Sequence, residues 1–226
     1  MDLGLRGKKA ILTLATAGTG RAVADMLAGE GVDIGFCGAA TDVDSTCGAL
    51  KAAGVAVFGG GVDVRDGEKF KAWLEQAVAA LGGCDIFIVN TGLDATAGQT
   101  HSWSGDFELD VLHTVRGCET LLPHLKAAGG GAIVILGASA TAGDPTLASY
   151  SSFQAGLVTY SKQLSQFVGR DGTRVNLVAP KPASAAPAEI AKTVVFLASP
   201  AASLVTGACI VPGVATPGVA TPGAKR

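Results

Sequence analysis

The chain is poor in charge and poor in aromatic side chains. Asp, Glu, Lys and Arg make up 16% of its 226 residues, and Phe, Trp and Tyr only 5%. With a formal net charge of −2, it has no basic field to attract nucleic acid or an anionic membrane surface. No apolar run is long enough to span a bilayer, and no charged segment followed by an apolar one reads as an export signal. The expectation is a cytoplasmic protein with neither nucleic-acid nor membrane partners. Cysteine pairs are missing too. Cys37, Cys47, Cys84, Cys118 and Cys209 form no Cys-x-x-Cys unit and have no histidine at ligand spacing. Cys37, Cys84 and Cys209 lie in apolar runs, where a free cysteine behaves as a small buried hydrophobe. His101, His113 and His124 form no cluster by spacing, so no metal is expected.

Apolar residues are plentiful at 48%, and the length suits one α/β domain with a well-buried core. Strand-like runs fall at 9–15, 32–37, 55–59, 86–90, 132–136, 174–178 and 208–211. Helical patterns fall between them at 21–30, 44–53, 68–81, 107–127, 150–168 and 190–197. In the third helix Phe70, Leu74, Val78 and Leu81 fall on one stripe. The run 86–90 is almost continuously apolar, as a strand covered on both faces should be. Alternating strands and helices with short connections predict a single-domain α/β fold, a doubly wound parallel sheet with helices on both faces. That domain is expected over 1–212. Residues 213–226 repeat Gly-Val-Ala-Thr-Pro, a low-complexity tail expected to be extended or flexible.

The first strand opens into Thr13-Leu14-Ala15-Thr16-Ala17-Gly18-Thr19-Gly20, a glycine-containing turn ahead of a helix. Such a turn lets backbone approach a pyrophosphate resting on the helix N-terminus. Asp63-Val64 follows the third strand and Val89-Asn90-Thr91-Gly92 closes the fourth. Tyr150-Ser151-Ser152-Phe153-Gln154 opens the long helix, and Arg174-Val175-Asn176-Leu177-Val178-Ala179-Pro180 spans the sixth strand. In this order and placement the motifs resemble those of the short-chain dehydrogenase/reductase family over about residues 5–213. The resemblance implies a Rossmann-like fold and an NAD- or NADP-linked oxidoreductase acting on a carbonyl or alcohol. It implies cofactor contacts at Gly18, Thr19, Gly20, Asp63, Val64, Asn90, Gly92 and Pro180, with Tyr150 as the acid/base. It also implies a homodimer or homotetramer built on the two long helices, with Leu121, Leu157, Val158 and Phe167 as candidate contacts.

The chain departs from the family's pattern at several places together. Leu14 replaces the first glycine of the turn. Gln154 stands where the family has the lysine whose charge favours phenolate; a free phenol ionises only near pH ~10. Ala138 occupies the family's serine position and Ser139 follows it. Asp110 replaces the family's asparagine, and His113 lies one helical turn on, at a spacing that lets an imidazole and a carboxylate share a face and trade protons. Cys37-Gly38-Ala39-Ala40 offers no residue to select the cofactor's ribose, leaving Asp42 and Arg21 as the nearest candidates. Lys181 follows Pro180 in place of glycine, and the substrate loop between Pro180 and Glu189 is short, so no helical lid is expected to exclude water. Three readings remain open: an atypical oxidoreductase with weak or absent redox activity, a non-redox lyase, isomerase or cyclase using the old cofactor cleft, and a non-catalytic binding or assembly homologue.

Overall fold

A computed structural model of the chain describes residues 2–91, 101–139, 145–181 and 186–213. The strands are β1 (Lys9–Leu12), β2 (Asp33–Gly38), β3 (Val57–Gly61), β4 (Ile86–Asn90), β5 (Ala132–Leu136), β6 (Arg174–Val178) and β7 (Cys209–Ile210). The helices are α1 (Gly18–Gly29), α2 (Val43–Lys51), α3 (Gly67–Leu81), α4 (Trp103–Asp106), α5 (His113–Ala127), α6 (Ala148–Val168) and α7 (Pro187–Ala198). All strand pairs are parallel, in the order β3-β2-β1-β4-β5-β6-β7. The direction of winding reverses between β1 and β4. In open parallel sheets the crevice beyond the strand ends at that reversal is where ligands bind.

Successive side chains on a strand point to opposite faces, and this sorts the core into two layers. Ala10, Leu12, Ile34, Phe36, Ile86, Ile88, Val134 and Leu136 pack against α1 and α7. Ile11, Phe87, Val89, Ile133, Ile135, Val175 and Leu177 pack against α3, α5 and α6. Gly117 lets α5 settle on the sheet, because a Cβ there would lie 2.6 Å from the Phe87 ring. At the far end of β6, the Arg174 guanidinium caps α7. It donates to the carbonyls of Leu197 (2.7 Å) and Ser199 (3.0 Å), where the negative end of the helix dipole favours a cation.

The stretch 107–127 is not one uniform α-helix. α4 passes into a π-helical segment, Phe107–Leu112, before α5 begins, and the His113 N–H bonds to the Glu108 carbonyl five residues back. Gly92, 182–185 of the substrate loop and 214–226 of the tail lie outside the described residues. Among the described residues all five cysteines are free, and Cys37, Cys84 and Cys118 are buried. No helix among them is long and apolar enough to cross a membrane.

Candidate active site

The β1–α1 turn is strapped into place from both sides. The Asn90 backbone N–H donates to Thr13 Oγ1 at 3.0 Å, while Ala15 N–H donates to the Cys37 carbonyl at 2.9 Å. Asn90 Nδ2 donates to the Leu14 carbonyl at 3.0 Å, and Asn90 Oδ1 is buried with no partner among the described residues. Gly18 takes a φ of +55°, and a Cβ on Gly20 would sit 2.5 Å from the Leu14 carbonyl oxygen. Both positions therefore need glycine. Leu14 is itself left-handed at φ +49°, the one such non-glycine among the described residues. A side chain there costs on the order of 1–2 kcal/mol, and Leu14 offsets this by packing against the second core layer.

The N-terminus of α1 fits an anion. Its cap, Ala17, has no side-chain acceptor, and no acidic residue lies in the first turn. The amides of Gly18, Thr19 and Gly20 precede the first intrahelical bond, which runs from Arg21 N–H to the Ala17 carbonyl. These residues fit the pyrophosphate of a dinucleotide. Elsewhere the cofactor cleft offers little charge. The Asp63 carboxylate is held by Arg65 in a two-bond pair, both at 2.9 Å, which keeps it below its ordinary range. Val64 is buried in the core. Arg21 is tied to Asp25 (2.8 Å) and Thr46 (3.2 Å) across α1 and α2, and Asp42 is exposed. Gly38 ends β2 against Thr16, whose side chain a Cβ would meet at 2.5 Å.

Gln154 does not face the cleft as a free amide. It is 1% exposed; Oε1 accepts from Ala138 N–H (2.9 Å) and Nε2 donates to Thr91 Oγ1 (3.1 Å). Thr91 in turn donates to the Leu136 carbonyl at 3.2 Å, so Gln154 clips the ends of β4 and β5 together. Both of its amide atoms are thus engaged with the protein's own groups at the site where the family has its lysine. Ser139 is half-buried beside Ala138, and its backbone N–H donates to the Pro180 carbonyl at 3.0 Å. That bond joins the end of β5 to the end of β6. Lys181 is exposed.

The pairing of Asp110 with His113 is also corrected. His113 is fully buried against the Phe70 ring (centroids 5.1 Å), with Nδ1 on the Leu109 carbonyl at 2.9 Å. Burial pushes its pKa down to about 4, so the ring is neutral. The cause is the π-helical winding, which adds a residue to the turn and breaks the three-residue spacing that an α-helix would put on one face. Asp110 turns instead toward α6. Burial raises its carboxyl to about 7, partly opposed by the Gln154 amide, and Oδ2 is buried without a partner among the described residues.

Three further residues complete this wall, none of them singled out from the sequence. His101 Nδ1 lies 3.2 and 3.3 Å from the two oxygens of Asp106. Ser149 Oγ donates a short hydrogen bond to Asp106 from α6. The His101 ring lies against Tyr150, centroids 5.3 Å apart. Tyr150 is half-buried, and burial together with Asp110 and Asp106 pushes its phenol well above its ordinary value. The only local hints were Ser149 preceding Tyr150 and Asp106 preceding Asp110 by one turn. Among the described residues no group of three or more His, Cys, Asp or Glu is placed to hold a metal ion.

Fold and cleft together define the class: a doubly wound parallel α/β domain with a glycine-containing βα turn at its switch point. The family model for short chain dehydrogenases matches residues 8–192, and the chain belongs to that family. The chain is 30% identical to cis-4-hydroxycyclohexanecarboxylate dehydrogenase of Sinomonas cyclohexanicum, over 89% of this chain and 93% of that one. It is 28% identical to 3-oxoacyl-(acyl-carrier-protein) reductase of Vibrio cholerae, over 91% and 95%. Among solved structures it superposes on L-sorbose reductase of Gluconobacter frateurii, complexed with NADPH and L-sorbose, with a TM-score of 0.83 and 25% identity over 94% and 97%. A hydroxysteroid dehydrogenase of Escherichia coli shares the fold at a TM-score of 0.86 and 23% identity, over 95% and 99%.

Proposed function

We propose that this protein is an NAD(P)-linked oxidoreductase of a carbonyl or alcohol, working slowly because its phenol lacks the usual cation. The observation that carries the reading is the cradle at the switch point: free amides of Gly18, Thr19 and Gly20, with Asn90 braced on the Leu14 carbonyl of the same turn. The residues that would hold the dinucleotide are those three, with Asn90 bracing the turn; by resemblance Asp63, Val64 and Pro180 would join them. A bound nicotinamide supplies or accepts the hydride. The chain's own part is to fix the substrate oxygen at Tyr150 and exchange its proton. With Asp110 and Asp106 nearby, Tyr150 keeps its proton and acts as a hydrogen-bond donor. Tyr150 alone is therefore a weak base for alcohol oxidation.

Titration with NADH and NADPH, followed by nicotinamide fluorescence, tests this. A micromolar Kd for one of them is the expected result; no binding up to millimolar concentration overturns it. A second reading is favoured by one observation, the full commitment of Gln154, Arg21 and Asp63 to internal partners. A cleft in which these groups are already engaged suits a non-redox substrate, and absent dinucleotide binding would direct the search there. We further propose a homodimer or homotetramer.

A further inference from the structure

Tyr150 lies against an imidazole and within electrostatic reach of two carboxylates. Asp110 and Asp106 both oppose its ionisation, and no cation acts on it among the described residues. Such a phenol donates a hydrogen bond well and takes a proton poorly. Exchange of a proton with a carbonyl or hydroxyl oxygen needs a second group on the same wall.

His101 is placed for that. Its ring is tilted 48° against that of Tyr150, with centroids 5.3 Å apart. Nδ1 faces both oxygens of Asp106, and Asp106 is braced by the Ser149 hydroxyl. A carboxylate on Nδ1 fixes that hydrogen and the ring's orientation, leaving Nε2 on the opposite edge as the exchanging atom. The His101 side chain is 10% exposed, so the ring is sheltered but reachable. Around it stand Asp106 from α4, Ser149 and Tyr150 from α6, and Asp110 of the π-helical segment within electrostatic reach of Asp106 and Tyr150. Asp110 Oδ2, 1% exposed at the residue and unpartnered, is an acceptor on the same wall that the described residues do not satisfy.

We propose that His101, held by Asp106, is a catalytic acid–base residue, exchanging through Nε2 the proton of the substrate oxygen while Tyr150 hydrogen-bonds that oxygen. This rests on the oxidoreductase reading. In reduction, the carbonyl carbon gains the hydride brought by the reduced nicotinamide, and the C=O π pair moves to oxygen. The oxygen takes the Nε2 proton and becomes the hydroxyl. His101 is left neutral with its Nδ1 hydrogen on Asp106, and regains a proton from water. Oxidation runs the same steps in reverse.

The test combines turnover with a measurement that does not need it. Ketone reduction is screened with saturating NADH or NADPH for the parent, His101→Asn, Asp106→Asn and Tyr150→Phe. Imidazole nitrogens are followed by ¹⁵N NMR in the cofactor-free protein. His101→Asn is expected to lower kcat about 100-fold or more, within the usual range for a general acid, with KM and dinucleotide Kd changed less than threefold. It should also abolish an ionisation in the pH–rate profile that Tyr150→Phe retains. NMR should place the His101 hydrogen on Nδ1, and Asp106→Asn should disturb it. An active parent whose kcat and pH profile survive His101→Asn overturns the inference and leaves the oxidoreductase reading standing. A hydrogen on Nε2 alone in the neutral ring also overturns it, whatever the turnover. A parent that binds neither dinucleotide removes the reading, and the inference falls with it.

Discussion

Position 154 shows how one side chain trades chemistry for architecture. The Gln154 amide accepts from one backbone N–H and donates to one hydroxyl, and both partners are buried at the ends of neighbouring strands. A lysine has donors only, so in Gln154→Lys the Ala138 N–H would lose its acceptor. Leaving such a group unsatisfied costs on the order of 1–3 kcal/mol. The same change would bring a cation to Asp110 and Tyr150, favouring carboxylate and phenolate. Gln154→Lys is therefore expected to lower the denaturation midpoint in urea, while an ultraviolet pH titration shows Tyr150 ionising at lower pH than in the parent. If the variant dehydrogenates alcohols faster than the parent, the missing charge is what limits oxidation. An unmoved phenol titration would show that residue 154 does not act on Tyr150. The glutamine itself was readable in the sequence; its two hydrogen bonds were not, because both partners lie far away in the chain.

At the scale of elements, the π-helical segment decides what the site contains. It turns Asp110 toward Gln154 of α6 and sends His113 against Phe70, so two buried residues three positions apart meet different partners. Periodicity located the helix but assumed uniform winding, and the reading of a shared Asp110–His113 face failed on that assumption. The consequence is measurable. Asp110 has a carboxyl raised from 3.8 to about 7 in the folded protein, so between those values the fold binds a proton more tightly than the unfolded chain. Its linkage contribution therefore favours folding at low pH and is lost as pH rises towards 7. Asp110→Asn removes that loss. The variant is expected to exceed the parent's stability at pH 8 by on the order of 2–4 kcal/mol, with the difference shrinking towards pH 4. His113 works in the other direction, since its pKa is lowered from 6.5 to about 4. Its contribution is full above pH 6.5 and is lost as pH falls towards 4. Urea denaturation across pH 4 to 8 separates the two, because Asp110→Asn should remove the loss of stability that builds up from pH 4 to 7 and leave the acid-side loss due to His113 in place.

For the molecule as a whole, alternation of strand and helix was enough to give the sheet, since apolar runs such as 86–90 and 132–136 fill both of its faces. The wall formed by His101, Asp106, Ser149 and Tyr150 was not legible. Its contacts join segments brought together only by folding, 43 residues apart for Asp106 and Ser149. The same distinction governs association. Of the residues that the resemblance offered as subunit contacts, Leu121 and Leu157 are buried in the core, while Phe167 is 70% exposed. A second apolar patch lies across the start of both long helices. Trp103 and Phe107 are 61% and 39% exposed, and both rings pack on Phe153 of α6. Exposed aromatic clusters of this kind mark association surfaces more often than isolated apolar side chains do. If the two long helices form the interface, light scattering on a sizing column should give a dimer or tetramer mass, and Trp103→Asp with Phe107→Asp should shift it towards the monomer. The dinucleotide turn lies on other elements, so the monomer should retain nicotinamide binding. A parent that runs as a monomer at micromolar concentration rules out a stable assembly. An assembly untouched by the double substitution moves the interface elsewhere, with Phe167 as the next residue to change.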